Sequence, residues 1–174
     1  MLKHITLYSI IAAVSVLALF LVCFVLGFKI NTTRSIPVGL YRVSNEPITK
    51  GAYVIFCPPQ HEVFNKAQKR GYIGAGWCPG GFGYMMKQIL AAKGDSVSVA
   101  ADGVKVNDLL LPNSTPHEAD NLNRPLPHYR TKRVLNDSEV LLMSNASATS
   151  FDARYFGPIH RSQINAVIRP IFTW

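Results

Sequence analysis

The sequence has little charge and little cysteine. Of its 174 residues, 16% are Asp, Glu, Lys or Arg and three are cysteine, whereas soluble globular chains usually contain about 25% charged residues. It also lacks a Gly-x-Ser-x-Gly elbow, a His-Glu-x-x-His motif, a glycine loop ending in Lys and Ser or Thr, and a cysteine pair at zinc spacing. These absences disfavour α/β-hydrolases, zinc hydrolases and P-loop proteins, and we predict no metal and no organic cofactor. Nine Phe, seven Tyr and two Trp exclude intrinsic disorder.

One long apolar run lies at the N-terminus. Residues 5–28 contain no charged side chain, and Lys3 and Lys29 flank them. Because a bilayer core needs ~20 apolar residues of helix, the run predicts a transmembrane anchor. A cleaved signal peptide is the competing interpretation, but its apolar region is ordinarily only ~7–15 residues long. Charge alone leaves the orientation open, because basic residues stand on both sides of the run.

The rest of the chain is basic. Residues 29–174 hold 17 of the 18 Lys and Arg and all ten Asp and Glu, a net charge of +7. Such a balance fits nucleic acid or an anionic membrane surface. The two densest basic clusters lack the interleaved aromatic residues of a single-strand binder; they are Lys66, Lys69 and Arg70, and Arg130, Lys132 and Arg133. A domain held beside anionic lipid therefore accounts for the charge, and we predict a lipid bilayer but no nucleic acid as a partner.

The pattern after the anchor predicts an antiparallel, mainly β domain. Val alternates with polar residues on both sides of the turn pair Asp102-Gly103, from residue 97 to residue 106, which is typical of a β-hairpin. One soluble helix is expected around residues 61–70, and the proline-rich stretch 112–127 is expected to be irregular. Further extended segments are predicted at residues 39–43, 53–56, 84–90, 139–143 and 166–171.

Two cysteines follow the anchor, Cys57 and Cys78, and each directly precedes a proline. An isolated pair without metal-ligand spacing predicts a disulfide if the domain faces an oxidising compartment. Closing that loop would contribute ~3 kcal/mol through the denatured chain. Two buried, reduced thiols in a cytosolic domain are the alternative. Cys23 lies inside the anchor, and we assign it no function.

Three short segments carry the remaining chemistry. They read Ser-Ile-Pro-Val-Gly-Leu-Tyr at residues 35–41, Tyr-Met-Met-Lys-Gln-Ile at residues 84–89 and Ser-Phe-Asp-Ala-Arg at residues 150–154. In order, spacing and position behind an anchor they resemble the type I signal peptidase family of membrane-anchored serine proteases with a Ser/Lys dyad. The resemblance spans residues 29–171. It implies a barrel-like antiparallel β fold behind one N-terminal transmembrane helix.

The resemblance implies that Ser35 is the nucleophile, Lys87 the general base and Thr33 a hydroxyl that helps to form the oxyanion hole. A serine hydroxyl needs a base to take its proton, and a lysine of ordinary pKa, ~10.4, is protonated at neutral pH. Burial can lower a lysine pKa by up to ~3–5 units. On an extended strand Lys87 shares its face with Met85 and Ile89, which are apolar. On the strand alone, a lysine whose ammonium reaches water is the alternative.

The third segment supplies three supporting residues. The resemblance implies that Ser150 positions the lysine amine, and that Asp152 and Arg154 match the Asp and Arg of the family's Ser-x-Asp-Ser-Arg box. A purely structural ion pair is an equally good interpretation of Asp152 and Arg154. Ser35 follows Phe28 so closely that, at ~3.3–3.6 Å per residue, it stays within about 25 Å of the bilayer. A membrane-associated substrate is therefore expected.

The departures from general signal peptidases favour one branch of the family. Ser-Ile-Pro replaces Ser-Met-x-Pro, and Cys-Pro-Gly-Gly stands at residues 78–81; both resemble the conjugal-transfer branch, whose members process and circularise pilin subunits. The resemblance implies residues 1–4 in the bacterial cytoplasm, 5–28 in the inner membrane and 29–174 as a periplasmic peptidase domain. It implies a pilin-like precursor as substrate and type IV secretion or conjugation components as partners. The alternatives are a general signal peptidase and a catalytically inactive anchored β-module of a secretion apparatus.

Overall fold

The computed structural model describes residues 2–174, with side chains from residue 7 onward. It begins with helix α1 (Leu2–Val25), which between Leu7 and Val25 is long and apolar enough to cross a membrane. The helix ends because Gly27 adopts φ 76°, the left-handed conformation that closes helices, and its N–H donates to the Phe24 carbonyl. The predicted anchor, residues 5–28, therefore runs three residues beyond the helix. Met1, in the predicted segment 1–4, lies outside the described residues.

After the helix, the chain is built mostly of strands. Two short helices, α2 (Glu62–Lys69) and α3 (Ala153–Phe156), and two 3₁₀ turns, Pro79–Gly81 and Arg161–Gln163, interrupt them. In chain order the strands are β1 (Phe28–Asn31), β2 (Gly39–Ser44), β3 (Tyr53–Phe56), β4 (Ala75–Cys78), β5 (Met85–Ala91), β6 (Ser96–Ala100), β7 (Gly103–Val106), β8 (Leu109–Leu110), β9 (Thr131–Val134), β10 (Glu139–Met143), β11 (Ile159–His160) and β12 (Ile164–Thr173).

Eleven of these twelve strands form two sheets, and the pairings within both are antiparallel. The remaining strand, β4, makes isolated bridges to Phe82. The larger sheet has the order β1-β2-β12-β3-β5-β10-β11, and the smaller one has the order β8-β7-β6-β9. The mainly β, antiparallel fold class is therefore confirmed. Among the described residues the sheets stay open rather than closing into a barrel, because β1 and β11 lie at opposite free edges of the larger sheet.

The predicted hairpin is confirmed. Its register pairs Val97 with Val106 and Val99 with Val104, and all four side chains are buried. The predicted helix at residues 61–70 is α2, and the proline-rich stretch 112–127 contains only an isolated bridge, between Ala119 and Pro125. The sequence did not predict α3 or five of the strands, namely β1, β4, β8, β9 and β11.

Strand β5 lies inside the larger sheet, between β3 and β10, and is covered on both faces. Its Met85 and Ile89 belong to the larger hydrophobic cluster, and its Met86 belongs to a smaller one with Tyr41. Lys87 shares the face of Met85 and Ile89 because side chains alternate along a strand. The lysine therefore enters the core region of the domain rather than its surface.

Candidate active site

Ser35 and Lys87 meet in the structure. The Lys87 Nζ donates to Ser35 Oγ at 2.7 Å, although 52 residues separate the two in the chain. Lys87 is 3% exposed. Desolvation lowers the pKa of Lys87 to about 8, against the opposing charge of Asp152 and with a smaller lowering by Arg154. A lysine with that pKa is neutral in roughly a tenth of the molecules at pH 7, and a neutral amine can accept a proton.

Ser150 lies on the other side of Ser35. Its hydroxyl donates to Ser35 Oγ at 3.2 Å, and its side chain is buried. The resemblance implied that this hydroxyl positions the Lys87 amine, whereas in the structure its hydrogen-bond partner is the Ser35 hydroxyl. Ser35 Oγ thus accepts hydrogen bonds from both Lys87 and Ser150, and these fix its position in the site.

The loop that carries Ser35 is organised by Asn31, the last residue of β1. The Asn31 Nδ2 donates to the carbonyl oxygens of Thr33, Ile36 and Pro37 at 2.7, 3.1 and 3.0 Å. Only 4% of Asn31 is exposed. Because these carbonyls stand before and after Ser35 in the chain, one buried amide sets the course of the nucleophile loop. Sequence analysis assigned Asn31 no role.

Tyr41, on β2, also contacts the loop that carries Ser35. Its hydroxyl donates to the Pro37 carbonyl at 2.6 Å, and the side chain has no exposed area. Burial, reinforced by Tyr53, raises the pKa of Tyr41 to about 12, so the hydroxyl stays a donor at all physiological pH values. Sequence analysis missed this contact too.

Thr33 is exposed and is held by the same asparagine. Its N–H and its hydroxyl both bond to Asn31 Oδ1, at 3.1 and 2.9 Å. It lines the same cleft as Ser35, where the resemblance places an oxyanion donor. In this conformation its hydroxyl proton is directed to Asn31, so the oxyanion role requires the hydroxyl to change partner.

Asp152 and Arg154 form a buried ion pair under the segment that carries Ser150. Neither side chain has exposed area, and Arg154 Nε and Nη2 contact the two Asp152 carboxylate oxygens at 2.8 and 2.7 Å. The guanidinium also donates to the backbone carbonyls of Asn113, Ser147, Ala148 and Ser150. This network ties the Ser150 loop to the beginning of the proline-rich stretch, which fits the structural interpretation of the pair.

Cys57 and Cys78 form the predicted disulfide, with their Cα atoms 5.4 Å apart. The bond joins the residue after β3 to the last residue of β4. It therefore ties β4, which belongs to neither sheet, to the end of a strand of the larger sheet. Among the described residues, no group of three His, Cys, Asp or Glu side chains is placed to hold a metal ion.

Two clefts open onto Ser35. A cleft of about 430 Å³ is lined by Ser35, Ser150 and Tyr72 together with the proline-rich stretch, including Asp120 and Arg124. A second cleft of about 210 Å³ holds Ser35 and Lys87 between β1 and β5. Both clefts are lined by polar and apolar side chains together, and an extended peptide crossing Ser35 would meet both.

The proline-rich wall of the first cleft is fixed by polar contacts. The hydroxyl of Tyr72 donates to Asp120, and Arg124 Nε contacts the same carboxylate at 2.6 Å. The N–H of His117 donates to the Tyr155 hydroxyl at 3.1 Å. The irregular backbone of this stretch is therefore a shaped wall of the cleft, a role that its composition did not indicate.

Comparison with known proteins gives consistent likenesses. The family model described as signal peptidase, peptidase S26, matches residues 2–174. The chain is similar to the plasmid transfer protein TraF of Escherichia coli, with 60% identity over 174 residues covering 99% of this chain and 98% of that protein. It is 35% identical over 150 residues to the conjugal transfer protein TraF of Agrobacterium fabrum, covering 85% and 84%. A solved signal peptidase I from Enterococcus faecalis has 13% identity and a TM-score of 0.40, covering 71% of this chain and 98% of that one.

Proposed function

Because this chain belongs to the signal peptidase family, peptidase S26, we propose that it is a membrane-anchored serine endopeptidase with Ser35 as nucleophile and Lys87 as general base. One observation carries the assignment of the two residues: Lys87 Nζ lies 2.7 Å from Ser35 Oγ while the lysine is almost fully buried. A buried lysine that faces a hydroxyl rather than a carboxylate has the environment that a lysine base requires.

The reaction begins with neutral Lys87. The Ser35 O–H donates to the lysine lone pair, Oγ attacks the peptide carbonyl carbon, and the proton moves to Nζ. We assign the Ser35 N–H and the Thr33 hydroxyl as donors to the oxyanion. The lysine ammonium then gives its proton to the departing amine as the C–N bond breaks, which leaves an ester on Ser35. A second nucleophile attacks this ester and gives its proton to Lys87. The lysine ammonium then gives that proton to Ser35 Oγ as the bond between Oγ and the carbonyl carbon breaks, which restores the Ser35 hydroxyl.

The substrate of the proposed enzyme is an exported, pilin-type precursor used in conjugative transfer. The relatives named plasmid transfer and conjugal transfer proteins support this choice over a general signal peptidase. We propose that residues 1–4 are cytoplasmic, that the N-terminal helix crosses the bacterial inner membrane, and that residues 29–174 form a periplasmic domain beside components of a conjugation apparatus. The Cys57–Cys78 disulfide supports an oxidising compartment for this domain.

An inactive anchored β-module is the weaker alternative. Burying a lysine without an acidic partner costs stability, and here Asp152, the nearby acid, is already bonded to Arg154. A scaffold has no use for a buried lysine that lowers its stability, whereas a nucleophile–base pair needs the lowered pKa that the burial produces.

We further propose that the acyl-enzyme is released by the α-amine of the substrate itself, which yields a ring. A well-held amine can gain an effective molarity of ~10⁵–10⁸ M over a free one. The larger cleft beside Ser35 and Ser150 supports this idea, because it leaves space of about 430 Å³ next to the ester.

The test is to coexpress the full chain with the pilin-type precursor of its own transfer region and to weigh the product by intact mass spectrometry. A ring weighs one water less than the linear product and has no free N-terminus. Ser35→Ala should leave the precursor uncut. Cleavage to a linear product alone would reject ring closure and keep the peptidase, whereas full processing by Ser35→Ala would reject both.

A further inference from the structure

Arg34, the residue directly before the nucleophile, carries a charge that its surroundings leave without a partner. It is exposed and lines the larger cleft together with Ser35. With the side chains described from residue 7 onward, its guanidinium makes no hydrogen bond, ion pair or ring contact. A guanidinium is a planar fork of N–H donors without an acceptor. All the side-chain donors of Arg34 are therefore available to a ligand that enters the cleft.

Two further arginines near the cleft are used by the fold. Arg124 Nε contacts the Asp120 carboxylate at 2.6 Å. Arg70 Nη1 donates to the Pro125 carbonyl oxygen at 2.7 Å. Both contacts hold the proline-rich wall of the cleft in place, so a structural role accounts for these two side chains. Arg34 has no contact of that kind.

Asp120 is the one carboxylate among the residues that line the larger cleft, and its oxygens are already bonded. They accept hydrogen bonds from the Tyr72 hydroxyl, from Arg124 Nε and from the backbone N–H groups of Leu122 and Arg124. Asp120 therefore balances the charge of Arg124 and leaves Arg34 without a counter-ion. The cleft has a net positive charge beside the nucleophile.

The smaller cleft has a different charge pattern. Lys87 is its one charged lining residue, and the amine of that lysine is buried against Ser35. An extended peptide that crosses Ser35 thus has one half beside an unpaired arginine and the other half beside the base alone. The charge of Arg34 can select a substrate group on only one side of the bond that is cut.

We propose that Arg34 is a specificity-determining residue that binds a carboxylate of the substrate in the larger cleft, on one side of the peptide bond that Ser35 attacks. The inference rests on the proposed function, because Ser35 marks that bond. Arginine suits this task, since its planar guanidinium can donate to both oxygens of a carboxylate. The carboxylate is a Glu or Asp side chain or the C-terminus of the substrate, and these share the chemistry that Arg34 recognises.

The position of the carboxylate along the substrate is also limited. Arg34 and Ser35 are neighbours in the chain, so the bound group lies within about three residues of the bond that is cut, or about 10 Å of extended peptide. The preference is therefore for an acid close to the cut and not for a distant acidic segment.

The test uses the full chain in detergent micelles and the pilin-type precursor of its own transfer region, whose cut site intact mass spectrometry gives. At each of the three positions on either side of the cut, a Glu version and a Gln version of the precursor are processed as an equal mixture, one of them isotopically labelled. Glu and Gln have nearly the same shape, so the ratio of their kcat/KM values reports the preference for charge. On one side of the cut the ratio should reach about 10–100 in favour of Glu.

Variants of Arg34 assign that preference to its guanidinium. Arg34→Gln should lower the ratio to about 1, and Arg34→Glu should instead favour Lys over Gln at the same substrate position. Arg130→Gln is the matched control and should keep the wild-type ratio, because Arg130 is exposed, has no partner among the described side chains and lines neither cleft at Ser35. A ratio is unaffected by any general loss of turnover that a substitution beside the nucleophile causes.

A precursor lengthened by three alanines at its C-terminus separates the two sources of the carboxylate. If the terminal carboxylate is the ligand, lengthening should lower kcat/KM by about 10–100-fold with the wild type and by much less with Arg34→Gln, while Glu and Gln versions are cut equally.

Ratios near 1 at all positions, together with no effect of lengthening, would overturn the proposal, whereas the cleavage itself would uphold the proposed function. A preference for Glu that Arg34→Gln retains would overturn the role of Arg34. A precursor that the wild type leaves uncut would reject the proposed function and this proposal with it.

Discussion

Two buried cations of the site, Arg154 and Lys87, are held in opposite ways. Arg154 contacts both carboxylate oxygens of Asp152 and four backbone carbonyls, and it has no exposed area. Lys87 is buried to nearly the same extent, yet its hydrogen bond goes to the neutral Ser35 hydroxyl. The fully partnered cation connects segments of the fold. The poorly partnered one has the lowered pKa that chemistry needs.

The difference has a thermodynamic consequence. Desolvation lowers the pKa of Lys87 from 10.5 to about 8, and a tenfold change in proton affinity is worth about 1.4 kcal/mol. Charged Lys87 therefore destabilises the folded state by about 3 kcal/mol at neutral pH. Removing Lys87 and removing Arg154 should therefore change stability in opposite directions.

The largest expected effect is the loss of activity when either member of the Ser35–Lys87 pair is replaced. Ser35→Ala and Lys87→Met should each lower turnover by at least about 10³-fold, because a nucleophile and its base act as a unit. Lys87→Met should at the same time raise the free energy of unfolding, by up to about 3 kcal/mol at neutral pH. Turnover in membranes and urea unfolding measure the two effects.

Lys93→Met is the matched control for this pair of variants. Lys93 is exposed and bonds to the exposed Asp137. Its replacement should therefore leave turnover unchanged and alter the free energy of unfolding by no more than about 1 kcal/mol. Substantial turnover by Lys87→Met would remove the base from the proposal. A double variant of Ser35 and Lys87 far worse than either single variant would mean that the two act separately.

The second prediction concerns Arg154. Arg154→Met leaves the Asp152 carboxylate buried and unpaired, which should lower the free energy of unfolding by about 3–5 kcal/mol. Adding Asp152→Leu removes the orphaned charge and should recover part of the loss. Urea unfolding of the three proteins measures this. If Arg154→Met were as stable as the wild type, Arg154 and Lys87 would not differ in the way described.

Asn31 gives the third prediction. Asn31→Ala removes the donor that holds the carbonyls before and after Ser35, a loss of about 1–3 kcal/mol. If that loss falls on the position of Ser35 relative to the substrate, it should reduce kcat by roughly 10–100-fold and change KM little. Asn31→Asp keeps the acceptor and loses the donors, so it should resemble Asn31→Ala. The exposed Asn145→Ala is the control, and a change confined to KM would contradict the positioning role.

Much of the fold was predictable because buried strands show apolar residues at alternate positions. The hairpin of β6 and β7 has this pattern, whereas β3 and β10 are continuous apolar runs, and all four strands were predicted with the correct or nearly correct bounds. Five strands were not predicted, namely β1, β4, β8, β9 and β11, and the reason is clear for two of them. β1 follows the membrane helix so directly that its Phe28 reads as the end of the anchor, and β9 carries the basic pair Lys132 and Arg133, which gives no apolar alternation.

The candidate site was only partly predictable. The resemblance identified Ser35, Lys87 and Ser150, and the structure brings these three residues together. It could not identify Asn31, because an asparagine near a proline turn is ordinarily a surface residue, and its burial depends on the path of the loop around it. The hydrogen-bond partner of Ser150 also depends on the packing of the loop, which no local pattern specifies.

The fourth prediction is the pH dependence of the reaction. Lys87 acts only when neutral, so kcat/KM should rise about tenfold per pH unit up to about 8, the lowered pKa of Lys87, and then level off. The ordinary value of 10.5 would leave the rise incomplete throughout the physiological range. Because the Asp152 carboxylate raises the pKa of Lys87, Asp152→Asn should move the rise to lower pH in whatever fraction of the protein remains folded.

Stability should follow the same group with a definite sign. The unfolded chain binds the Lys87 proton up to about pH 10.5 while the folded chain releases it near pH 8. Between these values the unfolded state holds more protons, so the free energy of unfolding contributed by Lys87 rises with pH. Lys87→Met should lack this rise, and its advantage in stability over the wild type should therefore shrink between pH 8 and 10.5. A stability difference between Lys87→Met and the wild type that stays constant over this pH range would mean that burial does not lower the pKa of Lys87. The contrast drawn between Lys87 and Arg154 would then be wrong.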